Sequence, residues 1–451
     1  MRTHLTLPLL CALVATPAHA MLFDAWSRAL AHDPDYQAAI AEQDATQEDL
    51  ALARSQLLPQ VNAQGSRGKA DAKIMNTGPG GKTANRQYNA NLWTLQIRQP
   101  LFRPSAIYAY KSSARRVAAS DELRQDARQS LLANMIETVG RLHFASASLE
   151  AARIAANSAS QMLNFNQRQL RAGNATRRDI AEAQTALAQA RQQIADAKLE
   201  QVTQEANWQQ ITGDTSADLQ YLPADLAERL PVPESDVSIL LADARTKQPA
   251  LRAAQQERNS AVFDIKRAKS EYLPSLDLTA SRSFNESNTE NTIDTTFLTN
   301  RIDLQLTVPL FNGGATQARI RQGEALLRQS QAKLNGHVTR TQTRIVRALA
   351  SLSLARQQAA SSHAAADAAD INLRSAVLGI TAGTATLADK VNAEAAKAIA
   401  ERDQTRANIE ALISWSQLQQ ARGILDEDSL KILMALLGWK EPAQQAVSFG
   451  R

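Results

Sequence analysis

Leu95-Gln96-Ile97-Arg98-Gln99-Pro100-Leu101-Phe102 returns later in the chain as Leu304-Gln305-Leu306-Thr307-Val308-Pro309-Leu310-Phe311. The second copy alternates cleanly, with Ile302, Leu304, Leu306 and Val308 set against Arg301, Asp303, Gln305 and Thr307. A period of two predicts a strand with one apolar and one polar face. Ser275–Phe284 alternates likewise through Leu276, Leu278, Ala280 and Phe284, with Arg282 the exception. Val61, Ala63 and Trp93, Leu95, Ile97 give weaker versions, and the phase change near Leu92-Trp93 reads as a β-bulge. Strands are therefore expected at about 58–68, 88–100, 274–285 and 297–309, separated by polar, largely structureless loops over Lys69–Gln87 and Asn285–Thr296. This is the length and alternation of a transmembrane β-strand, although each strand alone also fits a half-buried soluble sheet. Four strands are too few to close a membrane barrel, so spanning strands require an oligomer.

The repeat extends outward in both directions. Asp33-Pro34 through Leu58-Pro59-Gln60 is echoed by Gln248-Pro249 through Leu273-Pro274-Ser275, with the same spacing between the prolines. Ala172-Gly173-Asn174-Ala175-Thr176 with Asp179 is echoed by Ala382-Gly383-Thr384-Ala385-Thr386 with Asp389. Three matches in one order predict an internal duplication, 21–212 and 237–421, joined by a linker 213–236 whose Pro223, Pro231 and Pro233 forbid a continuous helix.

Between these landmarks the pattern is helical. Asp35–Leu57 and Ala250–Tyr272 lead into the strands, and 105–172 and 315–382 are rods of about 100 Å at 1.5 Å per residue. Thr176–Ile211 and Thr386–Ala421 follow the glycine turns at about 54 Å each, and the two shorter helices of each half nearly sum to the long one. The spacing predicts a long helix packed beside two shorter ones, as in a cylinder wall. Ile180, Ala183, Leu187, Ala190, Ile194 and Ala197 form a heptad stripe. Ala181, Ala186, Ala188 and Ala195 lie off it and offer a second close-packing face, although this helix alone also fits an ordinary two-stranded coiled coil.

Composition supports helices and strands over a globular enzyme. Aromatic residues are 4%, too few for a large core, whereas alanine and glutamine abound. Fifty Lys and Arg stand against 45 Asp and Glu without a block of like charge, which disfavours nucleic acid. With a mean hydropathy of −0.33, no apolar run is long enough for a spanning helix. Arg2, the apolar stretch Leu5–Val14 and Ala18-His19-Ala20 read as a signal peptide over 1–20. The single cysteine, Cys11, falls within it, so the exported chain has no thiol chemistry.

The ordered, duplicated motifs resemble the TolC family of outer-membrane efflux and type I secretion proteins. The resemblance covers nearly all of 21–420. It implies an α+β membrane protein: a homotrimer in which each chain gives four transmembrane strands to one twelve-stranded barrel, continuous with a long α-helical periplasmic tunnel. Residues 213–236 and 422–451 would lie in a belt around that tunnel. Implied partners are a periplasmic adaptor (membrane fusion) protein, an inner-membrane ABC or proton-driven transporter, and outer-membrane lipid. The implied role is conduction, with no cofactor and no catalytic residue. By the same resemblance Arg171, Gly173, Asn174, Thr381, Gly383 and Thr384 belong to helix tips that dock the adaptor, and Asp389, Asn392 and Asp179 to the tunnel entrance. An acidic residue often stands in the family where this chain has Asn392, which disfavours a second acidic ring.

The turns also have a purely local reading. Gly173 and Gly383 suit left-handed C-caps, and Thr176–Asp179 and Thr386–Asp389 read as capping boxes. Cap and entrance ring are both open for the two aspartates. Gly80-Gly81-Lys82-Thr83 lacks the first glycine of a P-loop, since position 76 is Asn76. His32, His143, His337 and His363 have no metal-ligand spacing. Trp26, Trp208, Trp415 and Trp439 fall near helix ends and suit packing, whereas Trp93 and Tyr88 suit an interfacial girdle. Leu430, Leu433, Met434 and Leu437 predict a short amphipathic helix. The competing reading of the whole chain is a soluble periplasmic coiled-coil adaptor or scaffold without a pore.

Overall fold

The computed structural model describes residues 21–75, 78–81, 83–215, 222–232, 236–287 and 293–437. The signal peptide, Asn76, Lys82, Pro233 and Trp439 lie outside them. In chain order the elements are α1 (Met21–His32), α2 (Pro34–Ser55), β1 (Gln60–Met75), β2 (Thr83–Phe102), α3 (Pro104–Arg171), α4 (Arg177–Thr212) and α5 (Leu226–Arg229). They continue as α6 (Val237–Lys247), α7 (Pro249–Ser270), β3 (Ser275–Glu286), β4 (Thr296–Thr307), α8 (Ala315–Ala382), α9 (Leu387–Arg422) and α10 (Glu427–Leu436). The chain divides into a unit of residues 40–124 with 250–338 and a unit of 21–39 with 125–249 and 339–437.

The first of these units contains the sheet. Leu58-Pro59 and Leu273-Pro274 end the preceding helices because a residue before proline is pushed from the helical to the extended region. Both helices close with the same turn bonds, Leu58 N–H to the Ser55 carbonyl and Leu273 N–H to the Ser270 carbonyl. The strands then form one antiparallel sheet in the order β1-β2-β3-β4. Its register sorts the side chains into two faces. One carries Val61, Ile97, Ala280 and Ile302 in one row and Trp93, Phe284 and Leu298 in another, with Leu276, Leu278, Leu304 and Leu306 nearer the helices. The other carries Asn62, Gln96, Ser281 and Arg301, and next to them Gln64, Thr94, Ser283 and Thr299. The apolar face is bare within the chain: Ile302 is 77% exposed and Val61, Trp93, Leu304 and Leu306 are all above 60%.

Three details of the strands differ from the sequence reading. The loop expected over Lys69–Gln87 is mostly ladder, since β1 runs to Met75 and β2 begins at Thr83. There is no bulge at Leu92-Trp93, because the β1–β2 register is unbroken from Gln60–Arg98 to Met75–Thr83. The change of phase there marks the end of the apolar band in a regular strand. The irregularity lies instead between Pro100 and Phe102, where proline has no N–H to give the ladder. Tyr88, paired with Ala70, sits on the opposite face from Trp93 and so is not its girdle partner.

Beneath the sheet Asp277 is buried and takes both Arg98 and Arg103, which ties β3 to β2 and to the start of α3. In the same unit α7 packs on α3 through Ser112, whose hydroxyl meets Ser260 and Asp264 at 2.9 Å, and on α8 through Arg319–Glu271. The buried apolar side chains here are mostly small, among them Ala53, Ala106 and Ala253.

The second unit holds the large buried side chains. Trp26, Leu132, Met135, Ile345, Leu352, Trp415 and Leu430 are sealed from solvent. Trp208 is buried with them, so all three described helix-end tryptophans pack. The Trp26 indole N–H donates to Glu427 at 3.0 Å, and Arg128 reaches the same carboxylate, which links α1, α3 and α10. Asn408 of α9 accepts from Ala227 N–H and donates to the Ala224 carbonyl, so it pins the linker turn around α5. The predicted C-terminal helix is α10, with Leu430, Leu433 and Met434 buried.

Two consequences can be measured. At Gly140 a β-carbon would lie 2.8 Å from Ile409 Cγ2, so Gly140→Ala is expected to lower stability by about 1 kcal/mol despite better helix propensity. Combination with Ile409→Ala should then be clearly less than additive in denaturant titration. Burial pushes the His143 imidazole down to about 4 from 6.5, and its Nε2 has no partner among the described residues. The unfolded chain therefore takes up a proton between pH 6.5 and 4 that the folded chain refuses, so stability is full above pH 6.5 and falls below it. His143→Gln should remove up to about 3 kcal/mol of that acid sensitivity, read as thermal midpoints across this range.

Candidate functional site

The two glycine turns form helical hairpin tips with the same construction. At the first, α3 ends with Gly173 at φ +82, a left-handed conformation that glycine adopts without a β-carbon clash. Asn174 N–H then reaches back to the Gln169 carbonyl at 2.8 Å. At the second, Gly383 has φ +75 and Thr384 N–H reaches the Gly379 carbonyl at 2.8 Å. These bonds satisfy carbonyls that a helix end leaves without partners.

The next helix starts at once in each case. Thr176 Oγ1 accepts from Asp179 N–H at 3.2 Å, while the Asp179 carboxylate accepts from Thr176 N–H at 2.7 Å and from its hydroxyl at 2.9 Å. Thr386 and Asp389 repeat the arrangement at 3.2, 2.8 and 2.8 Å. Hydrogen bonds from the threonine backbone and hydroxyl hold both carboxyls below the usual aspartate value. Both aspartates are thus ionised caps at physiological pH. Each also stands within the first turn of its helix, where a negative charge complements the macrodipole.

The tips differ in charge. Arg168, Arg171, Arg177 and Arg178 crowd the first, and of these Arg178 is paired, to Glu182 at 2.8 Å. The corresponding stretch of the second, from Leu378 to Ala388, has no basic side chain. Arg171, Gly173 and Asn174 are exposed on one tip, and Thr381, Gly383 and Thr384 on the other. Asn392 is also exposed, one turn beyond Asp389 on α9. Among the described residues no hydrogen bond or ion pair joins Asp179 to Asp389; each tip is held by its own local bonds.

Behind each tip the helices of the hairpin are tied differently. In the first, Asn166 Nδ2 donates to the Asp179 carbonyl at 3.3 Å, and the heptad stripe of α4 is the shielded side. Ala183 and Ala190 are buried, whereas Ala181, Ala186, Ala188 and Ala195 are exposed. In the second, Lys397 of α9 bonds Asp370 of α8 at 2.7 Å, and Asp370 also takes Arg374. The Lys397 bond is the first cause of the lowered Asp370 carboxyl, and the same bond raises the Lys397 ammonium. The sequence reading missed this tie. Its trace was the pair of helical spacings Asp370/Arg374 and Lys397/Glu401, which specify nothing until the two helices are side by side.

Comparison with known proteins places this geometry. Residues 25–214 and 240–423 match the profile of the family described as Outer membrane efflux protein. The chain is 29% identical over 419 residues to the alkaline protease secretion protein AprF of Pseudomonas aeruginosa, covering 92% of this chain and 86% of the relative. It is 28% identical over 454 residues to the proteases secretion protein PrtF of Dickeya chrysanthemi, covering 98% and 96%. The crystal structure of the Campylobacter jejuni CmeC outer membrane channel superimposes with a TM-score of 0.74 at 19% identity, covering 92% of this chain and 89% of that one.

Removal of one cap tests the local chemistry. Asp179→Asn is expected to speed amide hydrogen exchange across the first turn of α4 while leaving α9 unchanged. Because the folded carboxyl is depressed, the wild-type protection should persist as pH falls past the ordinary carboxylate value of 3.8, and disappear only as pH passes the lowered value.

Proposed function

The chain belongs to the outer membrane efflux protein family, and on that premise we propose that it is the outer-membrane exit duct of a tripartite export system. The observation that carries the proposal is the four-stranded sheet, which is apolar on one face, polar on the other and open at both β1 and β4. An open strand edge cannot stand in hydrocarbon, because its backbone N–H and carbonyl groups have no partner there. Three copies edge to edge give twelve strands with the apolar face toward lipid and the polar face toward a lumen. The exposed alanines of α4 supply the second close-packing face by which neighbouring helices complete a tunnel wall. The two sequence halves, each with a helix, two strands, a long helix and a capped return helix, form the repeats of one duplicated unit, with a belt from the linker and α10.

Protein secretion is the cargo class we favour, because two relatives matched over most of their length, AprF and PrtF, are secretion proteins by name. A periplasmic adaptor docks at the hairpin tips through Arg171, Gly173, Asn174, Thr381, Gly383 and Thr384, and an inner-membrane transporter, ABC or proton-driven, feeds the duct. Symmetry repeats Asp389 around the entrance, one turn from Asn392, with Asp179 on the alternate tips. An ionised ring in a narrow entrance raises the local cation concentration. A soluble scaffold gives no account of a bare apolar sheet face.

Conductance of the detergent-extracted oligomer in a planar bilayer tests both levels. Stable channels are expected, with a cation preference that falls in Asp389→Asn and rises in Asn392→Asp. Channels indifferent to Asp389→Asn would reduce that residue to a cap, and absence of channels from assembled protein would refute the duct.

A further inference from the structure

Arg282 interrupts the apolar face of the sheet. Read through the register, one row of that face joins Val61, Ile97, Ala280 and Ile302, and the next joins Ala63, Leu95, Arg282 and Asn300. After it come Trp93, Phe284 and Leu298, and then the polar row of Arg67, Asn91, Glu286 and Thr296. Arg282 is exposed and makes no ion pair among the described residues. Arg98, on the polar face, is held by Asp277. A cation with no ion pair among the described residues is thus placed, with Asn300 in the same row, one row inside the aromatic edge of an otherwise apolar surface.

On a barrel exterior such a charge costs most at the midplane and little near the headgroups. The aromatic row of Trp93 and Phe284 marks the headgroup level. Arg282 is two residues deeper, about 7 Å along the strand, and less in depth once the strand tilts. That is within reach of an arginine whose methylene stem lies along apolar surface while its head rises. A guanidinium at this level meets phosphate, which it binds through two parallel N–H donors. We propose that Arg282, with Asn300 beside it, is a contact site on the outer wall of the barrel for the phosphate of an anionic lipid, on the side of the membrane where β3 turns into β4. Arg67 adds a second cation in the outer polar row, while Glu286 in that row is engaged by Asn91 Nδ2 at 2.8 Å. The site rests on the barrel reading above.

The test uses the full-length oligomer in vesicles of phosphatidylcholine alone or of equal parts phosphatidylcholine and phosphatidylglycerol, and reads the rate of heat-driven dissociation. The anionic lipid is expected to slow dissociation of the wild type about fivefold, the scale of one basic residue at an anionic surface. Arg282→Lys should keep most of this effect and Arg282→Gln should lose it, with inorganic phosphate inert in neutral vesicles. Equal responses of wild type and Arg282→Gln would overturn the site. Inorganic phosphate reproducing the effect would make it a free-anion site and overturn the lipid assignment. Failure of the wild type to insert into either vesicle would overturn the barrel reading first, and this site with it.

Discussion

Every backbone donor and acceptor in a hydrocarbon layer needs a partner from the protein itself, and the duct proposed above follows from how the sheet would meet that demand. Within one chain β2 and β3 are paired on both sides, while β1 and β4 each keep one open edge. The demand is therefore unmet in a monomer. It is the same sheet whose apolar face is bare, so in the reading proposed above its edges call for other copies of the chain and its face for lipid.

The helices answer a different requirement. Long helices packed side by side need close approach, and small residues allow it. In the unit that carries the sheet the buried side chains are mostly alanine and serine, as at Ser112, Ser260 and Ala253, whereas tryptophan and leucine fill the other unit around Trp26, Trp415 and Leu352. Bulk is concentrated in the unit where the linker turn and α10 pack and is sparing in the unit that carries the sheet. Each hairpin tip is then held by local bonds that depend on no other part of the chain, which lets its outward surface vary. The first tip is strongly basic and the second is not, on one shared backbone design.

Much of this was legible because its causes are local. Leu-Pro ends a helix and starts a strand wherever it stands. Gly173 and Gly383 stop helices through the conformation that glycine tolerates, and Thr176–Asp179 and Thr386–Asp389 restart them through bonds three residues apart. What was read less well depends on distant partners. Lys69–Gln87 resembles a loop by composition, yet pairing with the opposite strand makes it ladder as far as Met75 and Thr83. The phase change at Leu92-Trp93 resembles a bulge in one strand and is seen as regular only beside its neighbours.

The sequence by itself determined the long helices, the Leu-Pro entries to two strands and the caps at both tips, since periodicity, proline, glycine and short-range hydrogen bonds act within a few residues. Only the tertiary structure decided which residues of different strands share a row, that Asp277 takes two arginines, that Asp370 meets Lys397, and that Arg282 stands between Leu95 and Asn300. Those facts arise from register and helix packing, which bring together positions far apart in the chain. No local pattern encodes them, because each residue in such a pair keeps the same local preferences whether or not its partner arrives.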